Sequence, residues 1–244
     1  MKYLGSKRRI AKEILAIMEP LKGERVWVEP FVGGGNLIDK VKGRRIGADV
    51  NPATINALKC IRDRAQDLPK NNKEFTKDDY ENLRNGGDVW FKDFALFCYA
   101  FSGKYKDIWA RDNKGEDYVK KAYNSAIRQQ PNLQGVELVC CSYEELKIPN
   151  KSLIYCDPPY FNTTGYKGTE KFNHEIFWQW CEVKVKEGHI VCVSELTGGG
   201  NFIPVWQKEI QATISYKGEY KKKQEKLFIH KDHLHLIKNY TLIK

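Results

Sequence analysis

The residues with the clearest capacity for chemistry are Asp157-Pro158-Pro159-Tyr160, which directly follow an apolar run at 152–156. The run predicts a short buried strand, and the two prolines end its hydrogen-bonding ladder. In open α/β sheets, ligands bind outside the carboxyl ends of the strands, where these four residues would lie. Asp157 and the Pro158 carbonyl can accept hydrogen bonds from an amine on a flat ring, and Tyr160 can stack on that ring. A strand followed by a simple proline turn explains the same residues, so other segments have to decide between the two interpretations.

A second segment with functional potential is Glu29-Pro30-Phe31-Val32-Gly33-Gly34-Gly35, which follows a predicted strand at 26–28. Three glycines permit a tight turn and the close approach of a ligand. A helix predicted at 36–42 would direct its N-terminus at that ligand. The glycine spacing matches neither the dinucleotide-binding nor the P-loop pattern.

Asp49 ends the next predicted strand, a position from which a carboxylate can bind ribose hydroxyls. Asp49 or Asn51 can also cap the helix predicted at 52–64. Both roles are compatible, and a ribose-bearing ligand without a large phosphate group fits the two segments together.

The surrounding elements predict an α/β fold, because helices and strands alternate in the first 65 residues. Helices are predicted at 6–19 with Ser6 as N-cap, 36–42, 52–64, 117–130 and 172–187, and strands at 26–28, 45–49, 136–141, 152–156 and 189–193. Strand candidates at 209–216, 226–229 and 234–237 predict an antiparallel edge. We expect one domain from residues 1–65 and 134–244, with a mostly helical insertion at 66–133.

Composition indicates a polyanionic partner, since the 244 residues carry a formal net charge of +10. Nucleic acid is the first expectation and a membrane surface the second. No apolar stretch approaches the roughly 18 residues of a membrane span, and no signal peptide is visible. The seven cysteines form no C-x-x-C pair, and the five histidines have no zinc spacing with them. We therefore expect a reducing cytoplasm and no metal site.

The predicted insertion contains the candidate contacts to nucleic acid. Its aromatic stretch at 90–101 favours the core of a small helical subdomain. The following segment at 102–111 mixes basic, aromatic and glycine residues, and contact with nucleic acid is as good an interpretation there as a structural role. The candidate DNA contacts are Lys104, Tyr105, Arg111 and then Arg128.

Three segments, taken in order, resemble one family. Lys2-Tyr3-Leu4-Gly5-Ser6-Lys7, the segment at 29–35 with Ala48-Asp49-Val50-Asn51, and Asp157-Pro158-Pro159-Tyr160 are similar to motifs of the Dam-like, D12-class DNA adenine-N6 methyltransferases. The order of cofactor motif, inserted target-recognition region and catalytic motif resembles the α group of that family, and the small size is similar to its phage-type members. The resemblance implies a Rossmann-like methyltransferase sheet.

The resemblance also implies the role of each matching residue. S-adenosylmethionine would be bound by Tyr3, Gly5, Ser6, Lys7, Glu29, Phe31, Gly33, Gly35, Asp49, Ser142, Tyr143 and Asp157. Asp49 would hold the ribose hydroxyls, and Tyr143 would pack on the cofactor's adenine. The catalytic residues would be Asp157, Pro158, Pro159 and Tyr160, which hold the target adenine.

The implied reaction is site-specific methyl transfer from S-adenosylmethionine to N6 of an adenine flipped out of double-stranded DNA. The implied location is the cytoplasm of a bacterial or phage-infected cell, in association with the nucleoid, with no obligate protein partner. Methylation of cytosine N4 or of RNA is a second interpretation, although an aspartate before Pro-Pro favours adenine. A DNA-binding protein that has lost catalysis is the third.

Overall fold

The computed structural model describes residues 1–110, 115–160, 172–211 and 222–237. These residues form a mixed α/β fold with a seven-stranded sheet, which confirms the predicted class. The helices are α1 (Ala11–Lys22), α2 (Pro52–Arg64), α3 (Lys77–Arg84), α4 (Lys92–Cys98), α5 (Tyr118–Leu133) and α6 (His174–Lys186). The strands are β1 (Trp27–Glu29), β2 (Arg45–Asp49), β3 (Val136–Cys140), β4 (Leu153–Cys156), β5 (Ile190–Glu195), β6 (Phe202–Gln211) and β7 (Lys222–His230).

The chain divides into two compact units, of which the first comprises residues 1–11 and 32–143. Its strands β2 and β3 are parallel, and Asp49 is level with Cys140 at their carboxyl ends. Helix α2 packs against β3, α4 and α5. It begins where the Asn51 side chain accepts a hydrogen bond from the Ala53 N–H, with Pro52 in the first turn.

The core of this first unit is rich in aromatic side chains. Tyr80, Phe94, Phe97 and Tyr99 are almost completely buried, as predicted for much of the stretch at 90–101. Trp90 and Phe101 of the same stretch are exposed. Residues 66–133 fall in one compact unit with the glycine segment and β2, so their status as an inserted domain stays a prediction.

The second unit comprises residues 12–31 and 144–244. Its strands β1, β4 and β5 are parallel, whereas β5 with β7 and β7 with β6 are antiparallel. The predicted antiparallel edge near the C-terminus is therefore confirmed. Every residue of β4 and β5 is buried, which is typical of parallel strands covered on both faces.

Several local predictions were wrong. The helix predicted at 36–42 is a single 3-10 turn, Ile38–Lys40, and Val41 after it is extended. The strand predicted at 234–237 is largely a 3-10 helix, Lys231–Leu236, in which His230 Nδ1 accepts from the Asp232 N–H. The predicted helix at 6–19 is divided into a 3-10 turn, Lys7–Arg9, and α1, and Ser6 caps the 3-10 turn.

Helix α3 was not predicted, because its sequence is polar. It is stabilised by a capping box in which the side chains and backbones of Thr76 and Asp79 exchange hydrogen bonds. No helix among the described residues is long and apolar enough to cross a membrane.

Candidate functional site

The glycine segment of the first unit is a tight turn that leaves no space for side chains. Gly33 and Gly35 have φ values of +46° and +63°, which favour glycine. A Cβ on Gly34 would lie 2.5 Å from Asn36 Nδ2 and 2.7 Å from Tyr3 Cβ. The N-terminal segment therefore packs directly on the glycine turn, so Tyr3 and Gly33, both predicted cofactor contacts, lie together.

The N-terminal segment is also attached to the predicted DNA-contact segment. The Leu4 N–H donates to the Gly103 carbonyl at 3.2 Å, and Lys2 Nζ donates to the Ala100 carbonyl. Tyr3 packs on Phe97 with ring centroids 5.4 Å apart. These contacts hold Tyr3 in place from the side opposite the glycine turn.

Gly5, Ser6 and Lys7 form the turn that leads away from Tyr3. Gly5 has a φ of +81°, and Ser6 Oγ accepts from the Arg8 N–H at 3.3 Å. Lys7 is buried, and its ammonium donates to the Gly5 carbonyl at 3.2 Å.

Asp49 joins the end of β2 to the glycine turn. Its Oδ2 accepts from the Gly33 N–H at 3.1 Å, and its Oδ1 accepts from the Asn51 N–H at 2.9 Å. Burial raises its pKa to about 6, although both backbone hydrogen bonds act in the opposite direction. The helix cap is Asn51, so Asp49 is available as the acidic group beside the glycine turn.

Ser142 and Tyr143 lie in the turn that follows β3, and both are half-buried. Because Asp49 is level with Cys140 in the parallel ladder, this turn leaves the sheet at the same edge as Asp49. The predicted contacts to a ribose and to an adenine ring are thus neighbours in the first unit.

The second unit contains the Asp157-Pro158-Pro159-Tyr160 motif, directly after β4. Asp157 and Tyr160 are half-buried, Pro158 is buried and Pro159 is exposed. The hydroxyl of Tyr160 donates a short hydrogen bond to Oε1 of Glu225 on β7. Burial raises the pKa of Tyr160 well above its ordinary value, and the nearby Asp157 and Glu225 carboxylates raise it further, so this hydroxyl stays protonated.

Three further carboxylates lie around the motif. Glu29 ends β1 and accepts from Trp27 Nε1 at 2.8 Å, and Glu195 ends β5. Both are almost completely buried, as is Glu225. Desolvation raises the pKa of the buried Tyr155, and Asp157, Glu225 and Glu29 raise it further.

Phe31, a predicted cofactor contact, follows Glu29 in the second unit. Its ring packs edge-to-face on Phe172 and Phe177, with centroids 5.8 and 5.7 Å away. Phe31 as a whole is half-buried.

The predicted DNA contacts have different surroundings. Tyr105 donates its hydroxyl to Asp93 at 2.6 Å and packs on Phe97, so it is held in the fold of the first unit. Lys104 is partly exposed, and Arg128 is exposed on α5. Arg111 lies outside the described residues.

Among those that are described, no cluster of three or more histidine, cysteine, aspartate or glutamate side chains is arranged to hold a metal ion.

Comparison with known proteins finds a similarity to one family of DNA methyltransferases. A family profile described as "D12 class N6 adenine-specific DNA methyltransferase" matches residues 3–94. The DNA adenine methylase of Vibrio cholerae is 28% identical over 195 residues, covering 69% of this chain and 69% of the relative. Over these residues the chain is similar to the D12 class. D12 methyltransferases methylate N6 of adenine in DNA, with S-adenosylmethionine as the methyl donor.

Two other proteins are less similar to this chain. The Type II methyltransferase M.FokI of Planomicrobium okeanokoites is 24% identical over 198 residues, covering 68% of this chain and 29% of that protein. The solved tRNA (m1A58) methyltransferase of Aquifex aeolicus has a TM-score of 0.39 at 10% identity, covering 91% of this chain and 68% of that chain. A TM-score that low does not identify the fold, which is defined by the strands and helices described above.

The profile match covers the N-terminal segment, the glycine turn and Asp49, whereas Asp157 lies beyond it. Two residues near these motifs were not predicted from sequence. Gln129 on α5 donates to the carbonyls of Gly34 and Gly35, each at 3.1 Å, and Glu225 accepts from Tyr160. Both contacts join residues far apart in the chain, and neither partner belongs to a local motif.

Proposed function

We propose that this chain methylates N6 of an adenine that it has flipped out of duplex DNA, at one specific sequence. The observation that carries the proposal is the position of Asp157-Pro158-Pro159-Tyr160 directly after the buried strand β4, with the tyrosine anchored on Glu225. This edge of a parallel sheet is where ligands bind in open α/β folds. An acceptor and an aromatic ring side by side suit a planar base that carries an amine.

S-adenosylmethionine is the proposed cofactor. In the first unit, Asp49 is a half-buried carboxylate beside a glycine turn, and its oxygens retain acceptor capacity for ribose hydroxyls beyond two backbone N–H groups. The further proposed contacts in this unit are Tyr3, Gly5, Ser6, Lys7, Gly33, Gly35, Ser142 and Tyr143. Glu29, Phe31 and Asp157 are proposed as cofactor contacts because they match the motifs of the family. These residues fit the cofactor chemically, since the glycine turn accepts a close ligand and the carboxylates complement a cationic sulfur.

Bound S-adenosylmethionine would supply an electrophilic methyl group on that cationic sulfur. The exocyclic amine of adenine is a poor nucleophile, because its lone pair is conjugated with the ring. Hydrogen bonds from the amine to Asp157 and to the Pro158 carbonyl favour a pyramidal nitrogen with an available lone pair. Holding the amine in line with the methyl group accounts for much of the remaining rate enhancement.

The carboxylates around Tyr155 have a second effect on the reaction. Methyl transfer moves positive charge onto the amine nitrogen, and a negative potential stabilises that charge most strongly where water is excluded. Glu29 and Asp157 are carboxylates near Tyr155 that would act in this way.

The DNA substrate is proposed to be a duplex. The amine of a paired adenine is inaccessible inside the helix, so the base must leave the stack. Stacking on Tyr160 would offset part of the cost, since base–aromatic stacking is worth about 1–3 kcal/mol per base. The net charge of +10 supports binding to the phosphate backbone, and the proposed DNA contacts are Lys104, Tyr105, Arg111 and Arg128. We propose that the protein acts on DNA in the cytoplasm.

An assay with radiolabelled S-adenosylmethionine tests the proposal. We would offer duplex DNA, its separated strands and RNA, and identify the methylated nucleoside by mass spectrometry. N6-methyladenine formed fastest on the duplex is the expected result, and Asp157→Ala should form none. Product on cytosine or RNA would contradict the proposal, and cofactor binding without product would favour a DNA-binding protein that has lost catalysis.

A further inference from the structure

Glu225 occupies an unusual place for a carboxylate. In the antiparallel ladder Glu195, the last residue of β5, pairs with Lys226, so Glu225 lies one residue beyond the carboxyl end of β5. Its side chain is on the same face of β7 as the fully buried Leu227, and Glu225 itself is 1% exposed. Burying a carboxylate is costly unless it makes hydrogen bonds.

The hydrogen bond from Tyr160 gives this carboxylate a partner within the motif. The donor is the tyrosine, because its phenol stays protonated, and the acceptor is Oε1 of Glu225. Tyr160 follows Pro158-Pro159, whose fixed φ angles restrict the backbone before it. The ring is therefore held at its backbone end by the prolines and at its hydroxyl end by Glu225.

A second tyrosine at this edge is fixed in the same manner. Tyr155 on β4 shares a buried hydrogen bond of 2.8 Å with Ser194 on β5. Side chains on β5 and β7 thus hold the two aromatic rings by their hydroxyl groups. A ring with a fixed plane loses less conformational entropy when a base stacks on it than a mobile ring does.

We propose that Glu225 is a positioning residue, which fixes the plane of the Tyr160 ring through the tyrosine hydroxyl so that the flipped adenine stacks with its amine at Asp157. The inference rests on the proposed function and extends it to a residue outside the motif. Glu225 acts as a hydrogen-bond acceptor on Tyr160 and does not touch the base.

Four variants test this role: Glu225→Ala, Glu225→Gln, Tyr160→Phe and the double variant Glu225→Ala/Tyr160→Phe. The assays are the single-turnover rate of adenine methylation, the dissociation constants for cofactor and for duplex DNA, and the midpoint of urea unfolding. The DNA carries the sequence that the wild-type protein methylates. Because Gln keeps an amide oxygen as acceptor and Phe keeps the ring, these two variants conserve shape where Ala does not.

We expect Glu225→Ala to lower the single-turnover rate by roughly tenfold or more, with cofactor affinity unchanged within about twofold. Glu225→Gln should remain within about threefold of the wild type, because the amide oxygen still accepts from the hydroxyl. The double variant should be no slower than the slower single variant, since both changes remove the same hydrogen bond.

Other results would overturn the inference. A wild-type rate in Glu225→Ala, additive losses in the double variant, or equal losses in Glu225→Gln and Glu225→Ala would each exclude positioning by a hydrogen-bond acceptor. If Glu225→Ala does not fold, Glu225→Gln and Tyr160→Phe test the role without it. A single-turnover rate far below wild type in Glu225→Gln, or a wild-type rate in Tyr160→Phe, then overturns the positioning role. A wild-type protein that forms no N6-methyladenine would refute the proposed function, and with it this inference, whereas the outcomes above refute the inference alone.

Discussion

Replacing Asp49 with asparagine separates the cofactor role of this carboxylate from its effect on the fold. Burial raises the pKa of Asp49 from 3.8 to about 6, against the opposing effect of hydrogen bonds from Asn51 and Gly33. The folded protein therefore holds this proton more tightly than the unfolded chain does. The resulting stabilisation is fully present below pH 3.8 and is lost as the pH rises through about 6.

The shift in the pKa of Asp49 sets the size of its effect on stability and of its effect on cofactor affinity. Two pKa units correspond to about 3 kcal/mol. Asparagine removes the buried charge but also one of the two acceptor oxygens, so at pH 7 we expect the unliganded Asp49→Asn protein to be about 1–2 kcal/mol more stable than the wild type. Only the ionised carboxylate accepts from both ribose hydroxyls, and at pH 5 about a tenth of Asp49 is ionised. Cofactor affinity of the wild type should then fall about tenfold between pH 7 and pH 5.

Urea unfolding and calorimetric titration with S-adenosylmethionine, each from pH 5 to pH 8, measure the two effects. Asp49→Asn should bind the cofactor about 10- to 100-fold more weakly at pH 7, because it lacks a charge-assisted hydrogen bond. Its affinity should change with pH less than that of the wild type. The exposed Asp67→Asn is the matched control. Wild-type affinity that is flat from pH 5 to pH 8, with Asp49→Asn binding equally well, would refute the reasoning.

Three further outcomes are expected. Gly34→Ala should destabilise the protein by about 1–3 kcal/mol, because the new Cβ meets Asn36 and Tyr3, and an unchanged urea midpoint would contradict the packing described. Asp157→Ala should abolish methyl transfer while the thermal unfolding midpoint stays near that of the wild type; near wild-type turnover would exclude its catalytic role. Lys104→Ala and Arg111→Ala should each weaken DNA binding and reduce the slope of log affinity against log salt by about one, and an unchanged slope would remove that residue from the DNA contacts.

The local motifs were predictable from sequence because each depends on residues adjacent in the chain. The apolar run before Asp157 indicates a buried strand, and β4 is that strand. The strand ending at Asp49 and the helix after Asn51 follow from equally local signals, an alternation of apolar residues and a cap with proline. The geometry of parallel strands then brings Asp49 and the turn at Ser142 to one edge of the sheet.

The contacts that support those motifs were not predictable, because they depend on tertiary structure. The hydrogen bond from Tyr160 to Glu225 spans 65 positions, and those from Gln129 to the glycine turn span 94 and 95. Neither Glu225 nor Gln129 differs in sequence context from a surface residue.

The incorrect elements have local physical causes. Apolar residues at 37, 38 and 41 suggested one face of a helix, but the segment places them in the core as a 3-10 turn and an extended residue. Arg45 donates to the Ile38 carbonyl in this segment and to the Asn132 and Gln134 carbonyls at the end of α5. At 231–236 the His230 cap favours a 3-10 helix over the alternating pattern of a strand.

The most direct test of the central claim is single-molecule sequencing of DNA from a methylation-deficient host that expresses either the wild-type protein or Asp157→Ala. The account predicts N6-methyladenine in one sequence context with the wild type and unmodified adenine throughout with the variant. N6-methyladenine at the same sites with Asp157→Ala, or no modified adenine with a wild-type protein that binds S-adenosylmethionine and DNA, would contradict it.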